Sequence, residues 1–459
     1  MKMRKLLSGL LALTVWAGVL TAPAGAADTN PWSDKLAGLQ GTVAYENVDG
    51  TFRTDEENFI AARAARLKSI MFDGLDYKGE KTKVFGWYGI PEGADAANPV
   101  PAVVLVHGAS STSYTDWVLH WVNRGYAAIA IDHLGGSGTT GSDMRPLSED
   151  SYAGGPSDAG GLRQALTLDD DAEVAKEDYW NYHAVADTIM ANSIISGFDE
   201  VDSEKVGLIG VSWGGYLTLL TAGIDDRFAF AVANYGCAYV DETDYYTSRR
   251  FDAMTEEQHS GWMQNWDPSN YFGGIDMPVL MVTGSTDPFF SLNAHRKTYR
   301  ELRALNKDAY LYVENGLGHA IGYAMHVKET DAFADNITKA GEPGFNRLGA
   351  VEEYDGEQAW IKLDKAAPAA ASAKLFYTTE FGIWEDKTWK ESTATIGSTF
   401  VIADIPALAT AYYFEITDVN GNRFTTPCAD TDRAMLNLEY TNYLYDNFEA
   451  AVLDGGWYT

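Results

Sequence analysis

From about residue 83 onward, short runs of apolar, β-branched residues alternate with longer stretches whose apolar positions recur at helical spacing. The pattern predicts strands at residues 83–89, 103–106, 127–131, 206–209, 228–234, 278–284 and 309–313. These runs are continuous rather than alternating, which is what a strand covered on both faces requires. Helices are predicted between them at residues 116–123, 179–196, 215–220 and 296–305, with a closing helix at 323–339. Such alternation builds a parallel sheet flanked by helices, so the fold class is α/β. Ahead of it, residues 28–65 read as an irregular or helical lead-in, with the helix-like part over 56–68. Behind it, the alanine-rich stretch 366–373 reads as a linker or turn crossing. Residues 374–378, 400–405 and 411–417 then read as strands of a small β-sandwich, with Asn420-Gly421 as a hairpin turn. The acidic segment 430–459 has no assignment.

One junction in this pattern carries chemistry. The apolar run 206–209 ends in Gly210-Val211-Ser212-Trp213-Gly214 and opens directly onto a helix. A serine on so sharp a strand-to-helix turn presents its hydroxyl outward, the form of a nucleophile elbow. The motif is short, so its weight depends on partners downstream. Residues 278–284 end in Ser285-Thr286-Asp287-Pro288, and residues 309–313 lead to Glu314-Asn315-Gly316-Leu317-Gly318-His319. Chain order is therefore Ser212, Asp287, His319: nucleophile, acid, base.

A serine hydroxyl is a poor nucleophile at neutral pH and needs an adjacent base, here His319, oriented by a carboxylate, here Asp287. Charge developing on a substrate oxygen needs backbone donors. The expected pair is the N–H of Trp213 and that of Ala109, in the loop after Val106-His107-Gly108, with Ser110 the lesser choice for the second donor. Asp276 competes for the acid role but precedes its strand and so lies at the wrong end of the sheet. His107 is expected to support the oxyanion loop, and His295 and His326 to fall on helices. Trp180 and Trp213 are candidates for shaping a substrate pocket, with simple packing as the alternative.

Composition narrows the reading. With 459 residues, 46% of them hydrophobic, the chain has enough apolar surface for more than one core. We divide it into residues 1–26, 27–345 with insertions at 134–175 and 239–271, and 346–459. Residues 1–26 carry a basic start, an apolar run and a small-residue end, the pattern of a secretory signal. No other apolar run has a membrane-spanning length, so neither a membrane nor, at a net charge of −31, a nucleic acid is an expected partner. Cys237 and Cys428 are too few for a disulfide scaffold, although one bridge between them stays open. The run Asp169-Asp170-Asp171 with Glu173 lacks the pattern of a calcium loop and reads as solvated surface. No metal and no cofactor are required. Oligomeric state is not legible.

The segment from Trp180 to His319, with Gly210-Val211-Ser212-Trp213-Gly214-Gly215, Trp266-Asp267-Pro268-Ser269 and Asp287, resembles secreted bacterial α/β hydrolases of the acetyl xylan esterase and dienelactone hydrolase group. The resemblance spans roughly residues 80–340. It implies an α/β-hydrolase fold, a triad of Ser212, Asp287 and His319, and a secreted carboxylesterase acting on acetylated plant polysaccharide or oligosaccharide. The elbow is also similar to that of prolyl oligopeptidase-type peptidases, which makes a serine peptidase the runner-up. A non-catalytic glycan-binding protein with a vestigial triad is the reading from another class.

Overall fold

The computed structural model describes residues 30–431, apart from 49–65, 78, 80, 110–111, 134–175, 249–250, 253, 306, 343–347, 355–356 and 364–367. The signal-like segment, the first insertion with its acidic run, and the acidic tail beyond residue 431 lie outside the described residues.

Nine strands form one sheet: β1 (Tyr45–Val48), β2 (Lys68–Asp73), β3 (Lys83–Gly89), β4 (Val100–Val106), β5 (Ala127–Asp132), β6 (Val201–Val211), β7 (Phe230–Asn234), β8 (Val279–Gly284) and β9 (Ala309–Glu314), in the order β1-β2-β3-β5-β4-β6-β7-β8-β9. The lead-in strands and the β3–β5 pair are antiparallel, whereas every pair from β5 to β9 is parallel. Six longer helices accompany the sheet: α1 (Thr115–Asn123), α2 (Trp180–Ser196), α3 (Trp213–Ala222), α4 (Glu256–Trp266), α5 (Leu292–Ala304) and α6 (Lys328–Thr338). Strands β5, β7 and β8 are buried at every position, which explains their unbroken apolar runs. This is the α/β-hydrolase fold.

The C-terminal part adds two antiparallel sheets. One comprises β10 (Leu348–Tyr354), β11 (Gln358–Leu363), β15 (Phe400–Asp404) and β14 (Thr395–Ile396). The other comprises β13 (Lys390–Thr393), β12 (Ala370–Thr378), β16 (Ala411–Asp418) and β17 (Arg423–Thr425), with β18 (Ala429–Asp430) also on β16. Ile361 and Val401 from the first share one apolar cluster with Leu375, Phe414 and Ile416 from the second. Asn420-Gly421 turns the chain between β16 and β17, with Gly421 at φ 80°.

Several expectations are corrected. Residues 56–65 of the helix-like stretch lie outside the described residues, but its end is not helical, because Lys68 opens β2, and two antiparallel strands precede residue 83. The stretch read as a linker is in part sheet, since β12 begins at Ala370 and pairs across Asp418. The closing helix is broken into Ile321–Ala324 and α6, which leaves His326 in the turn between them.

Strand β9 is the sheet edge, and β17 of the second C-terminal sheet packs against it. Thr425 Oγ1 accepts from the Val313 N–H (3.0 Å) and donates to the Leu311 carbonyl (3.4 Å), so one side chain satisfies edge groups that a tenth strand would otherwise pair. Arg423 lies over the Tyr312 ring and reaches Glu329 (2.8 Å) and Glu314 (3.1 Å). The Glu329 side chain is wholly buried. Arg423→Met removes its cation, and leaving a buried carboxylate without a counter-charge costs about 3 kcal/mol. Urea unfolding of the full chain is expected to show that loss.

Candidate active site

Ser212 stands between β6 and α3 at φ 61°, ψ −125°. A residue with a Cβ is strained there and stays only where its surroundings hold it. Here its N–H donates to the Asn234 carbonyl of β7 (2.7 Å), while its carbonyl accepts from Tyr216 N in the first turn of α3 (3.1 Å). The elbow closes so tightly that a Cβ at Gly210 would lie 2.0 Å from the Gly214 carbonyl oxygen. On the other side, a Cβ at Gly108 would come within 2.9 Å of the Ser212 Cβ, so the loop after β4 rests against the serine.

Asp287 and His319 reach Ser212 from the ends of β8 and β9. His319 Nδ1 is 2.8 Å from Asp287 Oδ2, and its Nε2 is 2.8 Å from Ser212 Oγ. The carboxylate accepts at Nδ1, so that nitrogen carries the proton and Nε2 faces the serine as a base. Asp287 is held in turn by the N–H groups of Phe289 (2.8 Å) and Phe290 (3.0 Å) on Oδ1. The whole row is largely shielded: the Asp287 side chain is fully buried, the His319 side chain is 10% exposed, and Ser212 as a residue is 9% exposed. Tyr235, Phe289 and Phe290 surround the imidazole, with ring centroids 5.0, 4.8 and 6.1 Å away. Sequence reading missed these three rings. Phe289-Phe290 carried a signal in following Asp287-Pro288 at the spacing of an Asx turn, but Tyr235 carried none.

Trp213 opens α3, and a first-turn N–H has no intrahelical carbonyl to meet. Ala109 sits in the turn that follows Gly108; Ser110 lies outside the described residues. His107 Nδ1 donates to the Gly108 carbonyl (2.7 Å), and its ring stacks on His133 at 3.7 Å. Burial pushes the His133 pKa well down, so a neutral His133 ring stacks against this loop. His295 is a core residue on α5, its pKa lowered by burial to about 4. Asp276 pairs with Lys307 (3.2 Å) ahead of β8, away from the serine.

The tryptophan expectations are corrected. Trp180 and Trp213 are each only 1% exposed, so neither side chain lines an open site. The Trp180 indole donates to the His133 carbonyl (2.8 Å), and Trp213 stacks on Tyr216 at 4.3 Å. The second insertion packs likewise: Trp262 and Trp266 are buried, and the Tyr216 hydroxyl donates to the Trp266 carbonyl. In the Trp266-Asp267-Pro268-Ser269 motif, Asp267 accepts from Ser269 N (3.0 Å), Ser269 Oγ (2.6 Å) and Tyr239 N (2.8 Å). It pins the chain leaving β7, and burial raises its pKa to about 6 against those hydrogen bonds. Cys237 and Cys428 are free and buried, so no bridge joins them. Among the described residues no cluster of metal-ligating side chains occurs, and no helix is long and apolar enough to cross a membrane.

If Trp180 serves packing alone, Trp180→Phe leaves the His133 carbonyl without its donor and costs about 1–2 kcal/mol. Denaturation midpoints are expected to fall while KM for short and long acyl esters stays unchanged.

Two family models match overlapping parts of the chain: the prolyl oligopeptidase family over residues 174–339, and acetyl xylan esterase (AXE1) over residues 44–243. Dipeptidyl-peptidase 5 of Schizosaccharomyces pombe is 26% identical over 245 residues, covering 50% of this chain and 31% of that protein. Dipeptidyl-peptidase 5 of Porphyromonas gingivalis is 25% identical over 280 residues, covering 53% and 35%. The chain thus spans about a third of the length of these curated relatives. Among solved structures, an acetyl xylan esterase from Paenibacillus sp. R4 is 20% identical with a TM-score of 0.48, covering 66% of this chain and 92% of that one. An acylaminoacyl peptidase of Pyrococcus horikoshii is 20% identical with a TM-score of 0.46, covering 64% and 45%. The chain thus has the α/β-hydrolase fold, and each of the two family models matches less than half of it.

Proposed function

We propose that the protein is a secreted serine carboxylesterase that deacetylates plant polysaccharide or its oligosaccharides through an acyl-enzyme. The observation that carries this reading is the row Ser212–His319–Asp287, two 2.8 Å hydrogen bonds ending on a serine held in a strained strand-to-helix turn. Ser212 Oγ attacks the ester carbonyl as His319 Nε2 takes its proton, and Asp287 stabilises the imidazolium that forms. The N–H groups of Trp213 and Ala109 hold the oxyanion. Collapse of the tetrahedral intermediate breaks the ester C–O bond, and His319 protonates the departing alcohol. Water, activated by the same imidazole, then releases the acid and restores the serine.

The choice of ester over amide is supported by the acetyl xylan esterase model, whose match takes in the lead-in strands, the loop after β4 and the elbow. The prolyl oligopeptidase match and the dipeptidyl-peptidase relatives favour a second reading, a serine peptidase using the same triad. Both share the chemistry and differ in leaving group.

A fluorophosphonate is expected to label Ser212 in the folded protein, and Ser212→Ala to abolish both labelling and turnover. Asp287→Asn is expected to lower kcat by about 10⁴-fold, because it favours the wrong imidazole tautomer. A folded protein that takes no label sinks the enzyme reading. Substrate class is decided by kcat/KM across p-nitrophenyl esters from acetate to octanoate, acetylated xylan, and a proline-containing peptide amide. Acetyl esters are expected to lead; a preference for the peptide amide moves the assignment to the peptidase.

A further inference from the structure

The loops bearing Asp287 and His319 are knitted to each other before either reaches Ser212. Ser285 N donates to the Glu314 carbonyl (3.0 Å), Thr286 N to the Leu317 carbonyl (3.1 Å), and Gly316 N to Ser285 Oγ (2.8 Å). The two loops therefore behave as one unit at the edge of the sheet, where nothing from the parallel core lies beyond β9. What lies beyond is the C-terminal domain, and two of its aromatic side chains reach past the strand edge to the loops themselves. Trp389 Nε1 donates to the Ser285 carbonyl (3.3 Å), two residues before Asp287. The Tyr413 hydroxyl donates to Asn315 Oδ1 (3.2 Å), four residues before His319.

These aromatics are themselves braced. Trp389 meets Tyr413 edge-on at 4.9 Å and stacks on Trp384 at 6.2 Å. The Trp384 N–H donates to Asp244 Oδ2 (2.6 Å) in the second insertion, and Asp244 N donates to Ser291 Oγ (2.9 Å) at the start of α5. Arg296 of α5 pairs with Asp430 of β18 (2.6 Å). The contacts thus ring the acid and histidine loops and touch no part of the elbow.

We infer that Trp389 and Tyr413 are positioning residues of the reaction centre: through Ser285 and Asn315 they hold the loop pair that keeps Asp287 and His319 in line with Ser212. The C-terminal domain is then a built part of the active site rather than an appended binding module. The inference rests on the serine-hydrolase reading for its kinetic consequence but not for its structural one. A misplacement of about 1 Å in a catalytic group costs on the order of 10²-fold in rate, so a modest loosening here is visible in kcat.

The test uses the full chain with Trp389→Phe, Tyr413→Phe and the double substitution, which remove the N–H and O–H donors and keep aromatic rings in place. Leu408→Ser, on the exposed surface of the same domain, is the control. In the double variant kcat on p-nitrophenyl acetate is expected to fall by about 30-fold or more, with KM within about twofold and fluorophosphonate labelling of Ser212 slowed in parallel. Amide hydrogen exchange is expected to rise by roughly tenfold at residues 285–289 and 315–319, with β6 and α3 unchanged. The inference is overturned if exchange at the two loops matches wild type, or if it rises evenly through both domains as a general loss of stability would produce. It is also overturned by wild-type kcat in a labelled, active protein. If wild-type protein takes no label, the enzyme reading has failed, and the exchange pattern alone decides the positional claim.

Discussion

The backbone of Ser212, at φ 61° and ψ −125°, is tolerated only because rigid neighbours leave it no alternative. A buried strand delivers it and a buried helix carries it away. The Asn234 carbonyl fixes its N–H, and the Gly210–Gly214 contact allows the strand and helix to close on each other. The whole parallel half of the sheet serves this constraint. Strands β4, β6 and β7 lock the elbow from both sides, and the polar chemistry sits at their carboxyl ends, where open α/β sheets leave a crevice.

The other half of the site is held differently. Asp287 and His319 stand on loops, and loops at a sheet edge have fewer covalent and hydrogen-bonded supports than a strand–helix turn. Their order comes from hydrogen bonds between the loops and from the domain docked against β9. The same docking solves a second problem, since a free strand edge exposes unpaired amides and carbonyls. Thr425 meets two of those groups and Arg423 adds charge pairing with Glu314 and Glu329, so edge protection and loop placement share one interface.

Aromatic residues illustrate how burial decides role. Trp180, Trp213, Trp262 and Trp266 are all near the elbow in the chain or in space, and all four are buried. They belong to one buried cluster that also takes in Val185 of α2 and Leu217 of α3. The rings that do surround the imidazole, Tyr235, Phe289 and Phe290, belong to short segments after β7 and β8. Those segments have no periodic pattern to betray them.

Much of the fold was legible because burial on both faces leaves a mark: continuous apolar runs at strand length separated by helical periods. The elbow was legible too, since its glycines answer to a close backbone approach that local chemistry demands, and chain order put Asp287 and His319 after the strands that carry them. The antiparallel strands β1 and β2 were missed because strands left partly or largely exposed lack that mark. Only the tertiary structure decided what meets what. It brought side chains 107 and 32 residues apart to within 2.8 Å, buried the tryptophans that looked like pocket walls, and laid Trp389 and Tyr413 against the loops that bear Asp287 and His319. The physical reason is that a periodic pattern records whether a surface is covered, whereas the identity of the covering surface is settled by packing between segments that share no local pattern.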